Sequence, residues 1–125
     1  MEIREGKLLM RAKLEGKTHR VFEDALIDTG AAFTVIPPVM ADFLELETNK
    51  AFPKATLVTA SGLIEAPVKI IENLEVAGIE IKKLPVVAHK IPDPAPIKVL
   101  LGMNFIEKVK LTINGKQNKF RMEDP

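Results

Sequence analysis

The chain has no cysteine, no tryptophan and no tyrosine, and only two histidines in 125 residues. Without cysteine there is no disulfide, no thiolate metal site and no cysteine nucleophile. His19 and His89 stand far apart with no ligand-spaced companion, so each reads as a surface or satisfied strand histidine. No metal and no cofactor is expected. The six aromatic residues are all Phe, which removes the stacking platforms of a single-strand nucleic-acid binder. Charge of one sign is missing too: 18 basic and 17 acidic residues are interspersed, for a net charge of +1. That balance builds neither a nucleic-acid groove nor a polybasic membrane patch. No apolar run approaches the roughly 20 residues of a membrane span, and the stretch from Met1 to Gly6 is too charged for a signal peptide. The expectation is a soluble, cytoplasmic protein without nucleic-acid or membrane partners.

What is present reads as mainly β. The length suits one domain over residues 1–125 with one real core. Valine and isoleucine are frequent, and proline and glycine punctuate short apolar runs about every 8–12 residues. Lys7–Leu14 and Lys17–Glu23 form a plausible first hairpin about Glu15-Gly16. Ala25-Leu26-Ile27 reads as a strand buried on both faces and ending at Asp28. A helix is expected from Pro38 to about Leu46, since proline suits a first helical turn. Val39, Met40, Phe43 and Leu44 would form its apolar stripe.

Farther on, Ala55–Ala60 and Leu63–Ile71 are β-rich runs around Ser61-Gly62, a hairpin tip with glycine supplying the positive φ of the turn. Leu74–Ile81 and Leu84–Ile91 continue the sheet, and Pro92-Asp93-Pro94-Ala95-Pro96 is expected to be an irregular connection. Ile97–Leu101 is a second buried strand, ending at Gly102 before a short helical stretch with Phe105, Ile106 and Val109 on one side. Asn114-Gly115 between Leu111–Ile113 and Lys116–Met122 signals a type I′ hairpin.

The most informative segment is Leu26-Ile27-Asp28-Thr29-Gly30-Ala31-Ala32-Phe33, continued by Thr34-Val35-Ile36-Pro37. An acid ends an apolar strand and is followed by a hydroxyl residue and a glycine, which presents the carboxylate on a tight turn. Strand, glycine turn and helix recur without the acid at Ile97–Gly102. Together, Asp28-Thr29-Gly30-Ala31 and Leu100-Leu101-Gly102 resemble the catalytic loop and its packing partner in retropepsin-like aspartic proteases. The resemblance covers roughly residues 7–113 and suggests a stand-alone cellular or prokaryotic member.

It implies an all-β, single-domain acid-protease fold, closed and barrel-like with one or two short helices, active as a homodimer because the chain holds one loop where two are needed. By the same resemblance, Asp28 and its copy would share a proton and activate a water. Thr29 would bond across the dimer axis, and Gly30 would offer its carbonyl to a peptide or protein substrate. Ala31 and Ala32 would line the substrate site, with Ser61 and Gly62 at the tip of a flap that closes over it. Ala32 departs from the retroviral pattern, which has an acid there, and the chain lacks the flap tyrosine of pepsin-type enzymes.

Two other readings stand beside this one. The fold is compatible with a catalytically silent module for dimerisation or peptide binding, and a metal-dependent hydrolase would need a ligand cluster the sequence does not supply. Asp24, four residues before Asp28, reads as a solvated strand residue, and Lys82-Lys83 and Glu45–Lys50 as exposed charge.

Overall fold

The punctuated apolar runs form ten strands and two short helices in a computed structural model that describes residues 1–91 and 97–125. The Pro92–Pro96 connection lies outside the described residues. β1 (Leu9–Glu15) and β2 (Arg20–Ile27) pair antiparallel from Leu9↔Leu26 to Glu15↔Arg20. Their loop is Gly16–His19 rather than a tight Glu15-Gly16 turn, closed by the Gly16 N–H donating to the His19 carbonyl at 2.9 Å.

After β3 (Thr34–Ile36), helix α1 runs Pro38–Phe43 and stops short of the expected Leu46. Glu45 adopts a left-handed φ of 53°, which ends the helical path. Only the inner half of its expected stripe is buried. Met40 and Leu44 face the core, whereas Val39 is exposed and Phe43 stacks on His19 with ring centroids 5.1 Å apart.

A short β4 (Glu47–Thr48) precedes the hairpin of β5 (Lys54–Thr59) and β6 (Gly62–Val76). β6 is one 15-residue strand that turns at Ala77-Gly78 into β7 (Ile79–Ala88). The sequence suggested breaks near Glu72-Asn73 and Lys82-Lys83, but these polar residues interrupt only the hydrophobic pattern. Asn73 pairs with Lys82 in the ladder, and Glu72 takes the Lys83 ammonium at 2.7 Å.

β8 (Val99–Leu101) and α2 (Met103–Ile106) follow, then β9 (Lys110–Asn114) and β10 (Lys119–Glu123). The last hairpin is not type I′. Its loop is the four residues Gly115–Asn118, because Asn114 Oδ1 accepts the Gln117 N–H at 3.1 Å and Asn118 supplies the left-handed residue at φ 58°.

Strand order is β1-β2-β8-β3-β7-β6, and β6 returns to pair with β1, closing a barrel. The all-β barrel with short helices expected from the sequence is the fold observed. Its main core joins Leu14, Ile36, Leu74, Val86, Leu101 and Phe105, all essentially without exposure. A second cluster of Val35, Ala55, Ala66, Val68 and Val87 lies under the β5–β6 hairpin, with Phe33, Leu57, Ile91 and Leu100 packed against it. No helix among the described residues is long and apolar enough to cross a membrane.

One polar knot on the barrel wall ties folding to pH. Buried Asn73 donates from Nδ2 to Glu15 Oε1 at 2.9 Å and to Glu80 Oε1 at 3.0 Å, and Lys13 Nζ lies 3.4 Å from Glu15. The Asn73 hydrogen bond, and then the Lys13 charge, hold the Glu15 carboxyl below its ordinary value of 4.5. A depressed folded-state pKa adds stability above the unfolded value, and that stability is lost as pH falls below 4.5 toward the folded value. Asn73→Ala is therefore expected to lower the melting temperature at pH 7, with the gap to wild type narrowing as pH falls from 5 to 3. A gap constant over that range in thermal melts would rule out the linkage.

Candidate active site

Asp28 is placed by the pairing of two apolar strands that the sequence shows as near copies. β2 and β8 run parallel, with Ala25↔Val99, Leu26↔Leu100 and Ile27↔Leu101 in register. The Asp28 N–H extends the ladder by donating to the Leu101 carbonyl at 2.9 Å. The chain then turns sharply. The Asp28 carbonyl accepts the Ala31 N–H at 3.2 Å, and its side-chain Oδ1 accepts the Gly30 N–H at 2.9 Å. The carboxylate is therefore oriented by its own loop, as an Asx-type turn does.

The loop is clamped from below. Ala31 and Ala32 carbonyls accept the N–H groups of Met103 at 2.7 Å and Asn104 at 3.1 Å. Asn104 Oδ1 accepts both the Thr34 N–H at 2.8 Å and the Thr34 hydroxyl at 2.9 Å, while its Nδ2 donates to the Pro85 carbonyl at 2.7 Å. Fully buried Thr34 in turn accepts the Gly102 N–H at 3.2 Å. Such a fully satisfied polar network fixes one arrangement of the elements it joins. Gly102 is glycine for lack of room: a Cβ there would stand 2.3 Å from the Phe33 carbonyl oxygen.

Above the loop lies a groove of about 500 Å³. Asp28, Gly30, Ala31 and Ala32 form part of its lining, Val35 and Leu100 its apolar floor, and Thr56–Ala60 the overhanging hairpin. His89, Lys90 and Ile91 complete the lining. Of the residues singled out in the sequence, Asp28, Gly30, Ala31 and Ala32 thus meet in one groove.

Thr29 is exposed beside it, and its hydroxyl has no partner among the described residues. Ser61 and Gly62 are at the hairpin end, beyond the groove lining. The turn itself is Ala60-Ser61, and Gly62 opens β6 with a φ of 117° that favours glycine. Thr59 Oγ1 ties this end together, accepting the Ser61 N–H at 3.2 Å and donating to the Gly62 carbonyl at 2.9 Å. Asp24 faces Arg11 at 3.3 Å, away from the groove.

Sequence reasoning missed Asn104 and the part His89 plays in the groove. Asn104 had a signal, as the one strongly polar residue within Leu100–Ile106. His89 had none, since its position depends on which strand lies beside which. No group of three or more His, Asp or Glu residues suited to a metal gathers among the described residues.

Residues 11–108 match the family model described as "gag-polyprotein putative aspartyl protease". No curated protein matches the chain in sequence. Among solved structures, the fold is similar to the crystal structure of a retropepsin-like aspartic protease from Rickettsia conorii, with a TM-score of 0.71 and 21% identity, covering 99% of this chain and 87% of that one. It is also similar to the solution structure of the Simian Foamy Virus (mac) protease, with a TM-score of 0.53 and 19% identity over 80% of this chain and 92% of the other.

Proposed function

The chain belongs to the gag-polyprotein aspartyl proteases, with a retropepsin-like fold, and from that membership we propose that it is a homodimeric endopeptidase. The observation that carries this reading is the Asp28 carboxylate, held by the Gly30 N–H in a groove of about 500 Å³. Each chain brings one such acid. A twofold pairing sets two Asp28 loops face to face, with each Thr29 hydroxyl, unpartnered among the described residues of its own chain, reaching the other loop.

Two carboxylates about 3 Å apart cannot both ionise cheaply, so the pair holds one proton between them. The ionised member takes a proton from a bound water as its oxygen attacks the scissile carbonyl carbon, and the protonated member hydrogen-bonds the carbonyl oxygen. The tetrahedral intermediate collapses when the carboxyl that took the water proton passes it to the amide nitrogen and the C–N bond breaks, leaving a free acid, a free amine and the pair with its single proton. The peptide lies extended over Val35 and Leu100 beneath the β5–β6 hairpin, which acts as the flap. Val58 and Leu63, paired near the hairpin end and 84% and 72% exposed, supply apolar surface that its own chain does not bury.

Incubation with an unbiased peptide library from pH 3 to 8 tests the reading. Cleavage is expected, with a rate per protomer that falls on dilution below the dimer dissociation constant, since each complete site needs two chains. Sedimentation at the same concentrations supplies that constant. A folded dimer that cuts nothing would leave a peptide-binding or dimerisation module instead, and activity independent of dilution would exclude the shared dyad.

A further inference from the structure

Two phenylalanines from separate elements meet beside the groove. Phe33, five residues after Asp28, lines it, and its half-buried ring packs on the cluster under the hairpin. Phe52 lies outside that lining and is 48% exposed. Its ring stands against Phe33 with centroids 5.8 Å apart and planes tilted by 35°, within the range of favourable aromatic pairs.

Both rings hang from backbone that is pinned. On one side of Phe33 the Ala32 carbonyl accepts the Asn104 N–H at 3.1 Å, and on the other the Thr34 N–H donates to Asn104 Oδ1 at 2.8 Å. Phe52 closes a turn, its N–H donating to the Asn49 carbonyl at 3.2 Å. Asn49 and Pro53 are each bonded to Val68 at 2.9 Å, where β6 joins the barrel ladder. The ring pair therefore bridges the catalytic loop and the fixed base of the hairpin, not its free end. Space for a side chain lies alongside. Gly30, Ala31 and Ala32 precede Phe33 in the lining, and none of them carries more than a methyl group.

We propose that the Phe33 ring forms a subsite for an aromatic side chain of the bound peptide, with Phe52 as the positioning residue that holds the ring, an inference that rests on the endopeptidase reading. A peptide ring lying over Ala31 and Ala32 meets Phe33 as the third member of an aromatic cluster. A contact of this kind favours binding by a few-fold to about tenfold. Without Phe52, one side of the Phe33 ring opens to water and its rotamer is released, so the peptide ring has to order its partner as it binds.

The test uses matched peptides with Phe or Ala at each of about five positions on either side of the cleaved bond. Wild type, Phe52→Ala and Phe52→Tyr are compared in kcat/KM, with Phe52→Leu as a second ring-less variant should the first not fold. At one position, wild type is expected to favour Phe about tenfold or more, and the ring-less variants about threefold or less. At the other positions the variants should keep the wild-type ratios. Phe52→Tyr, which keeps the ring, should restore the lost preference. A Phe preference that nowhere depends on Phe52 overturns the proposal. So does one that falls equally at all positions, as a loss of structure would cause, or one that Phe52→Tyr does not restore. Should no peptide be cut, the endopeptidase reading fails separately, and retention of the same pairs on immobilised protein reads the subsite directly. Phe peptides held no better by wild type than by Phe52→Ala then overturn it.

Discussion

Asp28→Asn is expected to reduce kcat/KM for any cleaved peptide by at least about a thousandfold, the scale on which a positioned general acid–base group acts. The substitution reaches both members of the pair in a homodimer, so neither remains to take a proton from water or to give one to the carbonyl oxygen. Little else changes. The asparagine oxygen can still accept the Gly30 N–H that now meets Asp28 Oδ1 at 2.9 Å, and the volume is nearly the same. The melting temperature and the dimer dissociation constant should therefore match wild type, which separates lost chemistry from lost structure. Steady-state cleavage beside thermal melts and sedimentation decides the matter, and a folded, dimeric Asp28→Asn protein with wild-type turnover would sink the shared-acid mechanism.

Gly102→Ala should be severely disruptive for the addition of a single carbon. The new Cβ would lie 2.3 Å from the Phe33 carbonyl oxygen, 2.4 Å from its carbon and 2.9 Å from the Thr34 nitrogen. All three are backbone atoms, so no side chain can swing aside. Relief requires moving β8 off β3, and that breaks the Gly102 N–H bond to Thr34 and tilts the strand whose Leu101 carbonyl holds Asp28. Overpacking commonly costs 1–3 kcal/mol, and with the buried bond lost as well, a loss of about 3 kcal/mol or more is expected. Gly115→Ala is the control: its Cβ meets nothing within 4 Å, and its effect should stay within about 0.5 kcal/mol. Urea midpoints for the two variants test this, and equal midpoints would refute the close-packing argument.

The parts legible in the sequence were those fixed by local pattern. Asp28-Thr29-Gly30 and Leu100-Leu101-Gly102 each carry strand, turn and helix start within a few residues, and β2 and β8 do lie side by side. The β5–β6 hairpin is found within one residue of its expected turn. Misses arise where a distant partner decides. β6 runs unbroken through Glu72-Asn73 because Lys82 and Lys83 stand across the turn, a pairing that the hydrophobic pattern of either run does not show. The Asn114-Gly115 signal was overruled by the Asn114 side chain, which bonds the backbone at Gln117 and widens the turn. The Asn104 side chain joins β3 and β7 through three hydrogen bonds, so its role appears only once those strands are neighbours.

The length of β6 gives the hairpin a particular mechanics. Residues 62–67 pair only with β5, whereas from Val68 onward the strand belongs to the barrel ladder with β7. Val68 is anchored twice more, its N–H donating to the Pro53 carbonyl at 2.9 Å and its carbonyl accepting the Asn49 N–H at 2.9 Å. The hairpin is thus a cantilever rooted at Val68, with the groove beneath its free end. If a peptide binds there as proposed, it would bend a two-stranded beam while the barrel that aligns Asp28 keeps the rungs of its own ladder.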